Sequence, residues 1–216
     1  ATIAGLEREL DWNAGQWGTV ARAIREDARR TPTVASIARL ARLEHDLHRY
    51  DAAEAAYRRA LALVDDVAPV PVAMLELQRG MNLYDAGRLQ DAERVFRSAH
   101  RRMPQYTAAR EHLAETLHHL GRDAEAIALY EDLVRTTTDP EFMGALASLL
   151  RAHGRVPEAD ALRRRATQRY EALLASYPDA MAWHAAEYFA GEGADLPRAI
   201  RLLERNAELR PTPESF

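Results

Sequence analysis

A recurring spacing of apolar and small residues constrains this chain more than any other feature of its sequence. The clearest copy covers residues 83–104. On either side of Gly87, apolar residues recur at three- and four-residue intervals, which is the spacing of one face of an α-helix. In the second stretch Ala92, Phe96 and Ala99 share a face, and a proline ends the pattern. The sequence therefore predicts two antiparallel helices joined by a tight turn at Gly87.

The same pattern returns along the whole chain, at an interval of about 34 residues. Small residues recur at the position where two helices approach most closely. They are Ala53, Ala92, Ala126, Ala159 and Ala199. One such helical pair cannot bury its apolar face alone, so successive pairs must stack. We expect Ala92→Leu to overpack its contact and to destabilise the fold by roughly 1–3 kcal/mol.

The pattern resembles the tetratricopeptide repeat, a helix–turn–helix unit with a small residue, an aromatic residue and a closing proline at fixed positions. The resemblance implies an all-α fold, an α-α superhelix in the form of a right-handed solenoid of about twelve antiparallel helices. It divides residues 1–216, as one domain, into six units. They are residues 1–33, 34–72, 73–106, 107–139, 140–179 and 180–213. Both ends stop in phase with a unit and lack a clearly polar cap, so we expect either a fragment of a longer array or an end that packs on a second copy.

Some positions depart from the repeat. Residues 65–71 contain two prolines and exceed the length that the repeat needs, which predicts a loop insertion. His48 stands where a turn glycine is usual, and Arg163 stands at the usual aromatic position. The apolar stripe continues beyond Arg163, which predicts an overlong helix from about Pro157 to Ser176.

Composition and charge narrow the classes of function. The chain has no cysteine, which excludes disulfides, thiol catalysis and thiolate metal sites. All 29 basic residues are arginine and the net charge is −4, so no overall basic excess favours nucleic-acid binding. No apolar run is long enough for a membrane span, and no leader pattern is visible. We expect a cytoplasmic protein, with a periplasmic location left open.

The sequence contains no recognisable catalytic motif. Gly191-Glu192-Gly193 lacks the third glycine of a dinucleotide-binding fingerprint and follows a predicted helix rather than a strand. It therefore predicts a turn between two helices. A nucleophile elbow, a phosphate loop and a zinc-protease motif are also missing from the sequence. We expect no enzyme activity, no cofactor and no metal.

The resemblance also implies a binding face. In this family the first helices of successive units line a concave groove that takes peptides or helices. The residues of this chain that project onto that face are Arg39, Arg42, His45, Met74, Leu77, Met81, Tyr84, Glu111, His112, Glu115, His119, Arg151 and Tyr188. Two of them, Arg39 and Arg42, could hold an acidic peptide by bidentate pairing.

Four residues recur at helical spacing and have two interpretations. They are Met74, Leu77, Met81 and Tyr84. As a binding strip they would be soft and adaptable, because methionine tolerates varied partners. Ordinary packing against the next unit is the alternative, and it is favoured by the general preference of such stripes for a core. Glu76 and Arg79 stand where the family prefers apolar residues.

Two polar clusters have a binding interpretation that is weaker than the alternative. His112, Glu115 and His119 share one helical face and could ligate Zn²⁺, but two turns separate the outer pair. The run from Arg163 to Arg165 could contact phosphate, but acidic residues are interleaved with it. A solvated helix face is the favoured interpretation of both clusters.

These observations predict a protein-interaction module or scaffold that binds a peptide or partner protein in its groove. The alternative is a regulatory or substrate-recognition segment of a larger enzyme or transcription regulator. Nucleic acid and membrane are not expected as partners, and self-association through uncapped ends is a further prediction.

Overall fold

The computed structural model describes residues 16–64 and 69–209, and every regular element in these ranges is an α-helix. The all-α prediction is confirmed there. The helices are α1 Trp17–Arg30, α2 Val34–Asp46, α3 Tyr50–Ala62, α4 Pro69–Asp85, α5 Leu89–Arg102, α6 Thr107–His119, α7 Asp123–Thr136, α8 Pro140–Ala152, α9 Val156–Ser176, α10 Pro178–Ala190 and α11 Leu196–Leu209. The first helix of the unit predicted at residues 1–33 lies outside the described residues.

Tight turns end the first helix of several predicted pairs. Gly87, Gly121 and Gly154 follow α4, α6 and α8 with φ of 72°, 73° and 76°. This left-handed conformation lets amides beyond the helix satisfy its last carbonyl groups, and glycine adopts it at no steric cost. His48 takes the same conformation after α2, with φ of 55°. The position predicted to replace a turn glycine therefore has the backbone of one.

Local signals also set where helices begin. Thr33 and Ser36 form a reciprocal capping box at the start of α2, which satisfies amides that have no partner within the helix. Asp139 caps α8 by accepting a hydrogen bond from the Glu141 amide at 3.1 Å, with Pro140 at the first helical position. Proline suits that position because its missing N–H would have had no partner there.

The structure corrects one predicted boundary and confirms another. α4 begins at Pro69, so residues 69–71 form its first turn and not the end of a loop. Two prolines predict a loop by composition, but a first turn needs no N–H donors. The overlong helix is confirmed, because α9 runs from Val156 to Ser176.

The described residues up to Arg122 form one compact unit, which contains α1 to α6. Helices adjacent in the chain pack against each other from α1 to α6. Ala53 and Ala92 have no exposed surface, and Tyr57 and Phe96 fill the space beside them. Small and aromatic residues are therefore buried together on the same helices of this unit, as in the repeat pattern.

The described residues from Asp123 onward form a second compact unit, which contains α7 to α11. Ala126 and Ala159 again have no exposed surface, and the core is filled by Leu133, Leu150 and Tyr170. Helices adjacent in the chain pack against each other here as well.

Several small or apolar residues at helical spacing are exposed. They are Ala23 in α1, Val156 in α9, and Leu196 and Leu203 in α11. α11 packs on α10, and among its described residues only Ala199 and Asn206 are buried. Helical spacing identifies an apolar stripe, but burial of the whole stripe needs helices on both sides of it.

An ion-pair network takes the place of apolar contacts where α3 meets α4. Glu54 is 6% exposed, and Arg79 donates to its two oxygens at 2.7 and 2.9 Å. Arg58 donates to the same carboxylate at 2.8 Å. Glu76 is also buried and accepts a hydrogen bond from Ser98 Oγ at 2.8 Å. The two polar residues that depart from the family pattern in α4 are thus matched by polar partners on neighbouring helices.

Among the described helices, none is both long enough and apolar enough to cross a membrane.

Candidate functional site

The first helices of the predicted pairs lie next to each other in the first compact unit. α4 contacts α2 on one side and α6 on the other. This arrangement brings together side chains that are far apart in the chain. His45 of α2 has its Nδ1 atom 3.3 Å from Asn82 Oδ1 and its Nε2 atom 3.4 Å from Asp85 Oδ2.

Asn82 and Asp85 belong to this face but were not among the predicted site residues. Asn82 is 1% exposed, and its amide donates to the Tyr50 carbonyl at 3.0 Å. Its only signal in the sequence is a polar residue between the apolar Met81 and Leu83. Its partner His45 lies on another helix and leaves no local signal in the sequence around Asn82.

Four predicted site residues meet where α4 contacts α6. Tyr84 donates its hydroxyl to Glu115 Oε1 at 3.0 Å, and His112 Nδ1 lies 3.3 Å from Glu115 Oε2. The rings of Tyr84 and His119 meet edge to face with centroids 5.6 Å apart. We call Tyr84, His112, Glu115 and His119 the tyrosine–glutamate cluster.

The cluster fixes the protonation state of its carboxyl group. Burial alone would raise the pKa of Glu115, but hydrogen bonds from His112 and Tyr84 outweigh it and hold that pKa below its ordinary value. Burial raises the pKa of Tyr84, and the adjacent Glu115 charge raises it further. At neutral pH the cluster therefore pairs a carboxylate with a neutral phenol.

The methionine strip of α4 is partly open. Met74 is 49% exposed and Met81 is half-buried, whereas Leu77 is only 8% exposed. Packing therefore accounts for Leu77. Only the two methionines of the strip present surface to a ligand.

The two arginines of α2 already have carboxylate partners. Arg39 pairs with Asp27 at 2.6 Å, and Arg42 pairs with Asp46 at 2.8 Å. Such exposed pairs contribute about 0–1 kcal/mol, so a ligand carboxylate could exchange with them at little cost. The remaining predicted residue of this unit, Glu111, is half-buried on α6.

Arg151 and Tyr188 belong to the second compact unit and hold its elements together. Arg151 donates to Glu192 at 2.6 Å and to Asp160 at 3.1 Å. Tyr188 is 7% exposed and donates its hydroxyl to the Arg163 carbonyl at 2.9 Å. These contacts tie α8, α9 and the turn after α10. Gly191-Glu192-Gly193 forms that turn between two helices, as predicted.

Three of these side chains, His112, Glu115 and His119, are the ones whose spacing in the sequence could suit Zn²⁺. In residues 16–64 and 69–209, no group of three or more histidine, aspartate or glutamate side chains is placed to hold a metal ion. The Glu115 oxygens are instead engaged by Tyr84 and His112.

Sequence comparison gives one family match. Residues 83–149 match the model of the tetratricopeptide repeat family. No curated protein sequence matches the chain.

Solved structures of similar fold cover most of the chain. A crystal structure of MamA has 17% identity and a TM-score of 0.66, over 82% of this chain and 99% of that one. YrrB, described as a TPR protein with an unusual peptide-binding site, has 18% identity and a TM-score of 0.56, over 90% of this chain and 96% of that one. The Rap conjugation gene regulator of plasmid pLS20, in complex with the Phr* peptide, has 15% identity and a TM-score of 0.63. This match covers 94% of this chain and 61% of the Rap regulator. At these identities the similarity shows the fold.

Proposed function

We propose, on the premise that this chain is a tetratricopeptide-repeat protein, that it binds an extended peptide of a partner protein and does so without catalysis. The binding face is formed by α2, α4 and α6 in the first compact unit. YrrB and the Rap regulator, which share the fold, are each described with a peptide-binding site or a bound peptide. Their similarity supports the class of function and leaves the ligand to be argued from this chain.

One observation carries the proposal: exposed methionine lies on the same helix face as a fixed set of polar groups. Met74 and Met81 are two helical turns apart and therefore share a face of α4. Asp85 follows on that face and Tyr84 is adjacent to it. Methionine adapts to ligands of different shape, whereas the carboxylates of Asp85 and Glu115 select a ligand that donates hydrogen bonds, because each carboxylate oxygen can accept more than one.

The chemistry of this face favours a particular kind of peptide. An apolar side chain would pack on the two methionines, and a basic or amide side chain would meet Asp85 and Glu115. Asp85 is 43% exposed and Glu115 is 39% exposed in their side chains, so both carboxylates can be reached by a ligand. We therefore expect selected ligands to combine apolar and basic residues at short spacing.

Selection from a displayed library of random peptides tests the proposal. Peptides that bind the full chain should lose binding when Met74→Asp and Met81→Asp are combined, because the contact surface then becomes charged. The matched control is Leu63→Asp, since Leu63 is 41% exposed at the end of α3 and lies off the face. Peptides that bind the double variant and the control equally would reject this face as the site.

A second candidate is a regulatory segment of a larger protein. The match to the Rap regulator favours it, because this chain covers only 61% of the length of that protein. The gene that encodes this chain decides between the two. A catalytic or DNA-binding domain in the same reading frame would support the regulatory role, and a reading frame limited to repeats would reject it.

A further inference from the structure

A second concave surface lies on the opposite side of α4 from the methionines. Successive residues of a helix are rotated by about 100°, so Glu76, Arg79 and Leu83 point away from Met74 and Met81. They line a cavity of about 440 Å³ between α3, α4 and α5. This volume falls within the roughly 300–1,000 Å³ of small-molecule sites.

The wall of this cavity is dominated by arginine. Five guanidinium groups face three carboxylates, so positive charge is in excess. The arginines are Arg58, Arg79, Arg88, Arg94 and Arg101, and the acids are Glu54, Glu76 and Asp91. The floor is apolar, with Leu83 1% and Val95 8% exposed. Arg58, Arg88 and Arg94 are 66%, 41% and 71% exposed in their side chains, so their guanidinium groups can be reached by an anion from solvent.

The carboxylates are already shared between several donors. Glu54 accepts from both Arg58 and Arg79, and Asp91 accepts from both Arg88 and Arg94. Each acid therefore neutralises one of its two arginines. Arg101 is exposed and makes no hydrogen bond or ion pair in the part of the chain that the structure describes.

We propose that this cavity, which we call the arginine cavity, binds a small ligand that carries two or more oxyanion groups, either phosphate or carboxylate. The guanidinium fork matches both groups in bidentate geometry. Arg101 supplies an uncommitted fork, and Arg88 and Arg94, which share the Asp91 carboxylate, together add one positive charge in excess of that acid. Arg79 joins α4 to α3 and does not contact the ligand, because its guanidinium group already donates to Glu54.

The arginine cavity is separate from the proposed peptide face. It uses the second helices α3 and α5 and the far side of α4, whereas the peptide face uses α2, α6 and the near side. Either proposal can therefore be rejected without affecting the other. A Met81→Asp variant should keep anion binding, and an Arg101→Gln variant should keep peptide binding.

Calorimetric titration of the full chain tests the proposal, with pyrophosphate and citrate as separate probes in a low-salt buffer free of other oxyanions. We expect one anion per chain, with an affinity that falls as salt is added. Arg101→Gln should weaken binding by about fivefold or more, through loss of a charge-assisted bidentate contact. Arg94→Gln provides a second variant with the same expected direction.

Arg59→Gln is the matched control, because Arg59 is exposed on α3 and does not line the cavity. It removes the same charge and should change the affinity by less than about twofold. Methyl resonances of Leu83 and Val95 should move when the anion is added. Binding of pyrophosphate alone, citrate alone or both identifies the preferred oxyanion.

The proposal is overturned if neither probe binds, if Arg59→Gln weakens binding as much as Arg101→Gln, or if the Leu83 and Val95 resonances do not respond.

Discussion

At the residue scale, Gly80 shows how closely α4 approaches α5. A Cβ at this position would lie 2.4 Å from Cε1 and 2.6 Å from Cδ1 of Phe96. Phe96 has no exposed surface, so its ring could move only by displacing its neighbours. The glycine is needed for packing and not for an unusual backbone conformation.

Gly80→Ala should therefore lower the free energy of unfolding by about 1–3 kcal/mol, since overpacking outweighs the gain of roughly 1 kcal/mol in helix propensity. Urea unfolding followed by circular dichroism measures the change. Gly18→Ala in α1 is the control, because a Cβ there meets nothing within 4 Å. Equal stability of the two variants would contradict the packing argument.

Glu93 is a second residue whose role depends on neighbours distant in the chain. Its Oε1 atom accepts hydrogen bonds from Arg97 at 2.8 Å and from Arg122 at 2.7 Å. Burial alone would raise the pKa of Glu93, but these two arginines hold it below the ordinary value of 4.5. The carboxylate therefore joins α5 to the turn after α6.

This depressed pKa makes a prediction about acid stability. Because the pKa is lower in the folded chain, the contribution of Glu93 is complete above about pH 4.5 and is lost as the pH falls through the folded value. Glu93→Gln should be less stable than wild type at pH 7, and the difference should shrink between about pH 5 and pH 3. Urea midpoints across this range measure it; a difference that is independent of pH would contradict the role of the charge.

At the scale of elements, alanine sets how closely helices pack. Ala53 on α3 has no exposed surface, while Ala55 on the same helix is exposed. The two positions are alike in helix propensity and differ in surroundings. Substitution at both therefore separates packing from propensity.

Ala53→Leu should destabilise the fold by roughly 1–3 kcal/mol, because the added side chain has no space between the helices. Ala55→Leu should change stability by less than about 0.5 kcal/mol. Thermal or urea unfolding of the pair gives the comparison, and the same argument applies to Ala92. A loss shared by both variants would point to the helix itself and not to its contact.

The helices were predictable because apolar spacing records which side of a segment is covered. The start of α4 was not, since prolines at residues 69–71 look like a loop by composition. For the candidate site, the first-helix residues could be chosen from the pattern, but Asn82 could not. Its partner His45 lies 37 positions away, and only packing of α2 on α4 brings them together. The limits of the six units stay a prediction.

At the scale of the whole molecule, burial is unevenly distributed along the second compact unit. α8 has eight buried residues, whereas α11 has two among those described. Leu196, Ile200 and Leu203 of α11 are 59%, 48% and 38% exposed. In a repeat protein each element is stabilised by its neighbours, so an element with few buried contacts opens most easily.

Amide hydrogen exchange should therefore be at least about tenfold faster in α11 than in α8. Mass spectrometry of peptic fragments measures both helices in one experiment, with α10 as an internal reference of intermediate protection. Protection of α11 equal to that of α8 would show that its stripe is covered in solution.

The Glu54–Arg79 pair has a consequence for engineering. Repeat arrays are often cut and rejoined as if every repeat were interchangeable. Here one predicted repeat supplies the carboxylate and the next supplies the guanidinium, both at a buried junction. A graft that moved the repeat with Arg79 alone would leave that guanidinium unpaired, at a cost of roughly 3–5 kcal/mol. Glu54 would keep Arg58 of its own repeat but would lose the bidentate contact from Arg79. The smallest segment that can be transplanted from this region is therefore the two repeats together.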